Sequence, residues 1–273
     1  SVSEGVTVAA DNKTVSFTAA GTYTVTIEAE NTLGKASQTF TVNVREDADT
    51  YLDTDFEMNP GFTMSSSGAG SAQVSDGALN ISTGSSSSSA FARYDFGASL
   101  TGNVLAEMVI TDTSTGTGAS SNFINLLFLY TTGTTSNDTS RCAFSLGIDD
   151  GVLAYHTGSG WKNETTAVVP QGRPVTISVL MNFEDAVYSV YMDGEPTALM
   201  NVGFRNPSLK DDVSVLYIGS DKQTTSVSYD SMKFMKVTPP SVAMAESAAV
   251  DLDIDPNFAL NYAVSPSDAQ VSV

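Results

Sequence analysis

Ala186-Val-Tyr-Ser-Val-Tyr-Met-Asp-Gly194 is the stretch that decides how this chain folds. Its β-branched and aromatic residues favour an extended chain, in which Tyr188, Val190 and Met192 share one face and Val187, Ser189 and Tyr191 the other. Asp193-Gly194 then supplies two residues that tolerate positive φ. A type I′ turn needs that, and its twist matches that of paired strands. The stretch reads as a β-hairpin. Outward from it, helical periodicity is nearly absent, and short runs of Val, Thr, Tyr, Phe and Ile are broken by Gly, Asp, Asn and Ser clusters. The fold class read from this pattern is all-β.

The hairpin sits in a principal domain spanning residues 50–238. That domain opens on Asp53-Thr-Asp-Phe-Glu57 and closes on Ser226-Val-Ser-Tyr-Asp-Ser-Met-Lys-Phe-Met-Lys-Val237. Loops rich in Gly, Ser and Thr at 65–71, 84–89 and 114–121 separate its strands, and the serine run at 85–89 reads as an exposed loop. So many short strands with turn signals suit two packed antiparallel sheets.

On either side lie shorter stretches. Residues 1–46 hold Thr14-Val-Ser-Phe-Thr18, Gly21-Thr-Tyr-Thr-Val-Thr-Ile-Glu28 and Ala36-Ser-Gln-Thr-Phe-Thr-Val-Asn-Val44, the last two joined through Asn31-Thr-Leu-Gly34. Tyr23, Val25 and Ile27 share one face, as do Phe40, Val42 and Val44. After Thr238-Pro-Pro240, residues 241–273 carry strand-like runs at Val242-Ala-Met244, Ala248–Ile254, Asn261–Val264 and Ala269–Val273.

Two resemblances follow from these residues. Gly21 to Val42 resembles the C-terminal half of a bacterial Ig-like repeat, and 241–273 resembles the opening half of the same kind of module, with the double proline as linker. The principal domain resembles the concanavalin A-like lectin/glucanase superfamily in its laminin G-like form. The residues that carry this are Asp55-Phe-Glu57, Val74-Ser-Asp-Gly-Ala-Leu-Asn-Ile-Ser82, the apolar strand Phe123–Tyr130, Gly151-Val-Leu-Ala-Tyr-His-Thr-Gly-Ser-Gly-Trp161, the 186–194 hairpin and Ser228-Tyr-Asp-Ser-Met-Lys-Phe234. The resemblance implies a jelly-roll sandwich between two partial Ig-like modules. The halves are completed between successive units of an array or are parts of a longer parent; closure within one chain is a third arrangement, ranked last.

The jelly-roll resemblance also implies a structural Ca²⁺ held by Glu57, Gly77 and Asp230, a set that would staple first strand to last. A net charge of −19, from 12 basic and 31 acidic residues, is compatible with such a hard cation. The same charge repels nucleic acid and anionic membranes. It disfavours strongly anionic polysaccharides unless a cation bridges the two. Sugar recognition needs an aromatic platform, and Trp161, the sole tryptophan, stands beside Tyr155 and His156. Trp161 is otherwise a core residue, and the sole histidine, His156, is otherwise structural or solvent-facing.

Catalysis finds no footing in the residues. The catalytic carboxylate strand of laminarinase-type jelly rolls is missing, and Asp149-Asp150, Glu184-Asp185 and Asp211-Asp212 read as turn residues. The single cysteine, Cys142, forms no internal disulfide and reads as a small buried hydrophobe. No apolar run spans a membrane and no leader is present, which fits a piece of a longer secreted precursor. The expectation is a non-catalytic, extracellular carbohydrate-binding or adhesion module of a bacterial secreted or cell-surface protein. Two alternatives accompany it: a repeat unit of a surface fibre or stalk joined head-to-tail to neighbouring copies through the Ig-like halves, and an accessory module of a polysaccharide-degrading enzyme.

Overall fold

The computed structural model describes residues 6–8, 14–17, 21–31, 34–44, 49–84, 87–114, 123–221, 224–237, 241–244, 263–265 and 270–272. These residues form two compact units. One spans residues 49–236, and the other unites the chain ends, 1–48 with 237–273.

The larger unit is a sandwich of two antiparallel sheets. One sheet runs Glu195–Pro196, Val187–Met192, Val175–Asn182, Asn103–Asp112, Thr224–Val237, Ala78–Gly84, Ser71–Ser75, with Val202–Gly203 and Asp49–Thr54 added on Val187–Met192 and Thr224–Val237. The other is seven-stranded: Trp161–Val168, Val152–His156, Cys142–Asp149, Phe123–Thr131, Val213–Asp221, Ser89–Asp95, Thr63–Ser67. The chain crosses repeatedly between the sheets, so neighbours in space are mostly distant in sequence. The main core lies between the inner faces. Met108 and Ile110 of one sheet belong to the same cluster as Ile124, Leu129 and Leu146 of the other, all fully buried. Each such side chain stabilises the sandwich by about 1.5–3 kcal/mol.

At the deciding stretch the turn has the expected chemistry. Asp193 and Gly194 sit at φ +49° and +84°, and Met192 pairs with Glu195. The strand that follows is only Glu195–Pro196, because proline offers no N–H to prolong the ladder. The main partner lies upstream instead, in six consecutive pairs from Ile177↔Met192 to Asn182↔Val187. Cys142 is fully buried, as its sequence setting implies.

In the smaller unit, Gly21–Asn31 pairs with Gly34–Val44 in a register that sets Tyr23 opposite Val42 and Val25 opposite Phe40. Thr14 also pairs with Ser272, and Val242 with Val42. The two ends of one chain therefore complete each other's sheets, the arrangement that sequence reasoning ranked last. Thr18, the turn centre Thr32-Leu33, Ser85-Ser86, residues 115–122, Thr238-Pro-Pro240, Ala248–Ile254 and Asn261-Tyr262 lie outside the described residues.

Candidate functional site

The seven-stranded sheet is apolar on both faces. Phe123–Thr131 shows this directly: Ile124, Leu127 and Leu129 enter the main core, while Phe128 and Tyr130 belong to a second cluster with Cys142, Val215 and Tyr217. Alternation along the strands puts that second cluster on the face turned away from the sandwich interior. Phe128 faces Ser145 on one neighbour and Tyr217 on the other, and Tyr217 faces Arg93. Tyr130 and Tyr217 meet edge to face at 5.1 Å.

Two glycines make room for rings over this face. Asn125 pairs with Gly147 on one side and Gly219 on the other. A Cβ at Gly147 would stand 2.8 Å from the Phe123 ring, and one at Gly219 would stand 2.7 Å from the Phe91 ring. The bare backbone lets both rings lie against the sheet.

Trp161 opens the edge strand beside this floor. Its ring stacks on Phe128 at 5.6 Å and 28°, and meets Phe123 edge to face at 4.6 Å. The residue is nevertheless 40% exposed, so it is braced rather than buried. His156 pairs directly with Trp161, their rings 5.4 Å apart and nearly perpendicular. Tyr155 does not join them. One residue before His156, it takes the opposite face, packs against the main core and lies close enough to Tyr188 to push up that phenol's titration, behind the larger effect of burial. Of the three sequence candidates, the structure unites Trp161 and His156 and sends Tyr155 elsewhere.

The His156 ring is oriented from its own loop. Its Nδ1 accepts the Gly158 N–H at 2.9 Å, which leaves Nε2 to carry the proton. Burial first, and the nearby Arg205 guanidinium second, hold its titration below the ordinary histidine value. Arg205 had no signal in the sequence. It arrives because Phe204 is anchored in the main core against Phe144 and Phe183, at 5.6 and 5.3 Å, and the Asn206 N–H bonds to the Ala143 carbonyl at 3.0 Å. Between these anchors the Arg205 backbone lies against the His156 loop, its carbonyl oxygen 2.9 Å from where a Cβ of Gly158 would stand, and its charge acts on His156.

Burial acts on two potentially reactive groups of this face. Burial pushes the Cys142 thiol up to about 11, and the thiolate is the reactive form. Burial also pushes the Tyr130 hydroxyl upward, and that hydroxyl bonds to Asn137. Ser145 Oγ is buried with no hydrogen-bond partner among the described residues. Asp149 accepts from Asn163 at 2.9 Å, Asp185 from Asn182 at 2.7 Å, and Asp211-Asp212 end a 3₁₀ turn.

Of the calcium candidates, Glu57 and Gly77 are neighbours at another corner. Tyr229 pairs with Leu79 and Met232 with Thr54, so Asp230 passes between the strand after Gly77 and the strand before Glu57. Glu57 Oε1 lies 3.4 Å from where a Cβ of Gly77 would stand, and Gly77 holds φ +70° in the turn. Asp230 Oδ1 accepts the Ser228 hydroxyl at 3.1 Å. Among the described residues no three acidic, His or Cys side chains cluster.

A family model for the Internalin K domain (D3/D4) matches residues 1–45. No curated protein matches the sequence. Among solved structures, the chain is similar to a cellulose-induced protein, Cip1, at 15% identity and a TM-score of 0.49, over 67% of this chain and 96% of that one. A carbohydrate esterase from the Shiga toxin-encoding bacteriophage phi24B is 14% identical, at a TM-score of 0.45 over 64% and 90%. The Emp46p carbohydrate recognition domain is 10% identical, at a TM-score of 0.42 over 65% and 89%. None of them supplies a site residue to this chain.

Proposed function

We propose that the outward face of the seven-stranded sheet binds a saccharide, as a non-catalytic, extracellular recognition or adhesion module of a bacterial secreted or surface protein. The observation that carries the reading is Trp161: a ring backed by Phe128 and Phe123, yet 40% exposed beside a histidine whose Nε2 proton is free to donate. A pyranose needs a rigid apolar plane next to hydrogen-bond donors, and this corner offers both. The Gly and Ser loops, the low charged fraction of 16% and the lack of an internal disulfide support a bacterial extracellular setting. Removal of thiol and phenol chemistry by burial supports binding without turnover. A structural Ca²⁺ at Glu57, Gly77 and Asp230 belongs to the same proposal.

The test is a glycan array probed with the full chain and with Trp161→Ala. Binding confined to particular glycans and lost in the variant supports the reading. Equal binding by both proteins contradicts it.

A second reading, a building block of a fibre or stalk, draws on the pairing of Thr14 with Ser272 and Val242 with Val42. Ends that complete each other within one chain can do so between neighbouring copies, because an unpaired strand edge accepts either. Size-exclusion chromatography over a range of concentrations tests it: concentration-dependent oligomers support exchange, and a monomer throughout opposes it.

A further inference from the structure

The corner beside Trp161 is made of donors. His156 has its Nδ1 occupied by the Gly158 N–H, so its Nε2–H is the donor that remains. The indole N–H of Trp161 has no acceptor among the described residues. Arg205 backs the same loop, its carbonyl oxygen 2.9 Å from where a Cβ of Gly158 would stand; it offers five N–H groups, and its guanidinium meets no carboxylate within ion-pair distance among the described residues, unlike Arg93 and Arg173, which pair with Asp95 and Asp193. The carboxylates on the adjoining strands are committed elsewhere. Asp149 holds Asn163, and Glu164 folds back onto the Thr166 hydroxyl at 2.6 Å. Ser145, buried beside Cys142, lies on the strand next to that of His156.

A partly buried cation without a counter-ion, beside two further donors, is complementary to an anionic acceptor and to no neutral hydroxyl in the same degree. Guanidinium favours a planar carboxylate, which it can grip through two parallel N–H bonds. We infer that the Trp161–His156–Arg205 corner takes an acidic pyranose, its ring against the indole and its carboxylate on Arg205 and His156. The inference rests on the saccharide reading and narrows it to sugar acids, whether uronic or sialic. The overall charge of −19 does not forbid this. Exposed charges are largely screened beyond about 8 Å at physiological salt, whereas contact with Arg205 is direct.

Isothermal titration of the full chain at neutral pH and near-physiological salt tests it with four probes: trigalacturonate and 3′-sialyllactose, and neutral galactotriose and lactose. At least one acidic sugar binds roughly tenfold or more tighter than its neutral counterpart, the scale of one charge-assisted hydrogen bond. Which acidic sugar wins distinguishes the uronic from the sialic source. Arg205→Gln brings the acidic sugar down to the neutral level, while Arg205→Lys, which keeps the charge but not the fork, recovers part of the difference. Unchanged circular dichroism and melting show that the variants fold. Neutral sugars bound as tightly as acidic ones, or an acidic preference that survives Arg205→Gln, overturns the inference and leaves the saccharide reading intact. Failure of all four sugars to bind overturns this inference at the stated site, and a glycan array blank as well overturns the broader reading.

Discussion

Trp161 and His156 are informative because each is the sole residue of its type, so spectroscopic signals from them need no assignment. Full removal of a buried tryptophan costs about 3–5 kcal/mol. Trp161 is 40% exposed, and Trp161→Ala is expected to cost well under that, with the melting temperature falling by only a few degrees while sugar binding is lost. A collapse of the fold in that variant would make Trp161 a core residue. His156 yields a second prediction. Its titration is held below the ordinary value of about 6.5 by burial and by Arg205. The folded state thus binds fewer protons than the unfolded state between the depressed value and the ordinary one. This contribution to stability is present above the ordinary value and is lost as pH falls through the folded value. Proton NMR of the single imidazole should show the depressed value in the native chain and an upward shift in Arg205→Gln; no shift would place the guanidinium elsewhere. Trp161 and His156 were legible in the sequence because they flank one short Gly-Ser-Gly loop. Tyr155 lies on the opposite face because adjacent strand residues alternate, and Arg205 was invisible because only the tertiary fold brings it to the His156 loop.

The element that shapes the candidate face is the Phe123–Thr131 strand, an apolar run visible in the sequence. What the run could not disclose is the role of its glycine neighbours. Gly147 and Gly219 are far apart in sequence, and only register sets them on either side of Asn125. A Cβ at Gly219 would lie 2.2 Å from the Ala90 carbonyl oxygen, on a backbone at φ +148° that L side chains avoid. Gly219→Ala is therefore expected to lose about 2–4 kcal/mol from overpacking and backbone strain. Gly203→Ala, which meets nothing within 4 Å, should stay within about 0.5 kcal/mol of the parent. Denaturant titration of both variants checks this, and equal stabilities would contradict the ring-over-glycine packing. The hairpin at 186–194 was legible to its turn residues, since Asp-Gly chemistry is local. Its partner was not, because Pro196 cuts the downstream ladder and hands the pairing to Val175–Asn182.

At the scale of the whole molecule, alternation and turn chemistry made the two-sheet sandwich readable, because both are written into short stretches. The two chain ends were readable as complementary halves of one kind of module, but their pairing within one chain was not singled out, since strand pairing over such a separation leaves no local trace; Thr14 and Ser272 announce nothing about each other. The proposed calcium acts at this scale, tying the first strand of the sandwich to the last. A ligand held only by the folded state at a hundred times its Kd stabilises by about 2.7 kcal/mol. Chelation should lower the melting temperature by several degrees, and Glu57→Gln should melt alike with and without calcium. An identical melt of the native chain in chelator removes the metal.

The central claim is that a saccharide rests on Trp161 at the outward face of the seven-stranded sheet. The single indole N–H cross-peak in a nitrogen-15 correlation spectrum reports on that ring and on nothing else. Titration with a glycan that the array identifies should move this peak saturably, with the affinity measured by calorimetry. A glycan that binds while the indole peak stays fixed would place recognition on another surface and contradict the account.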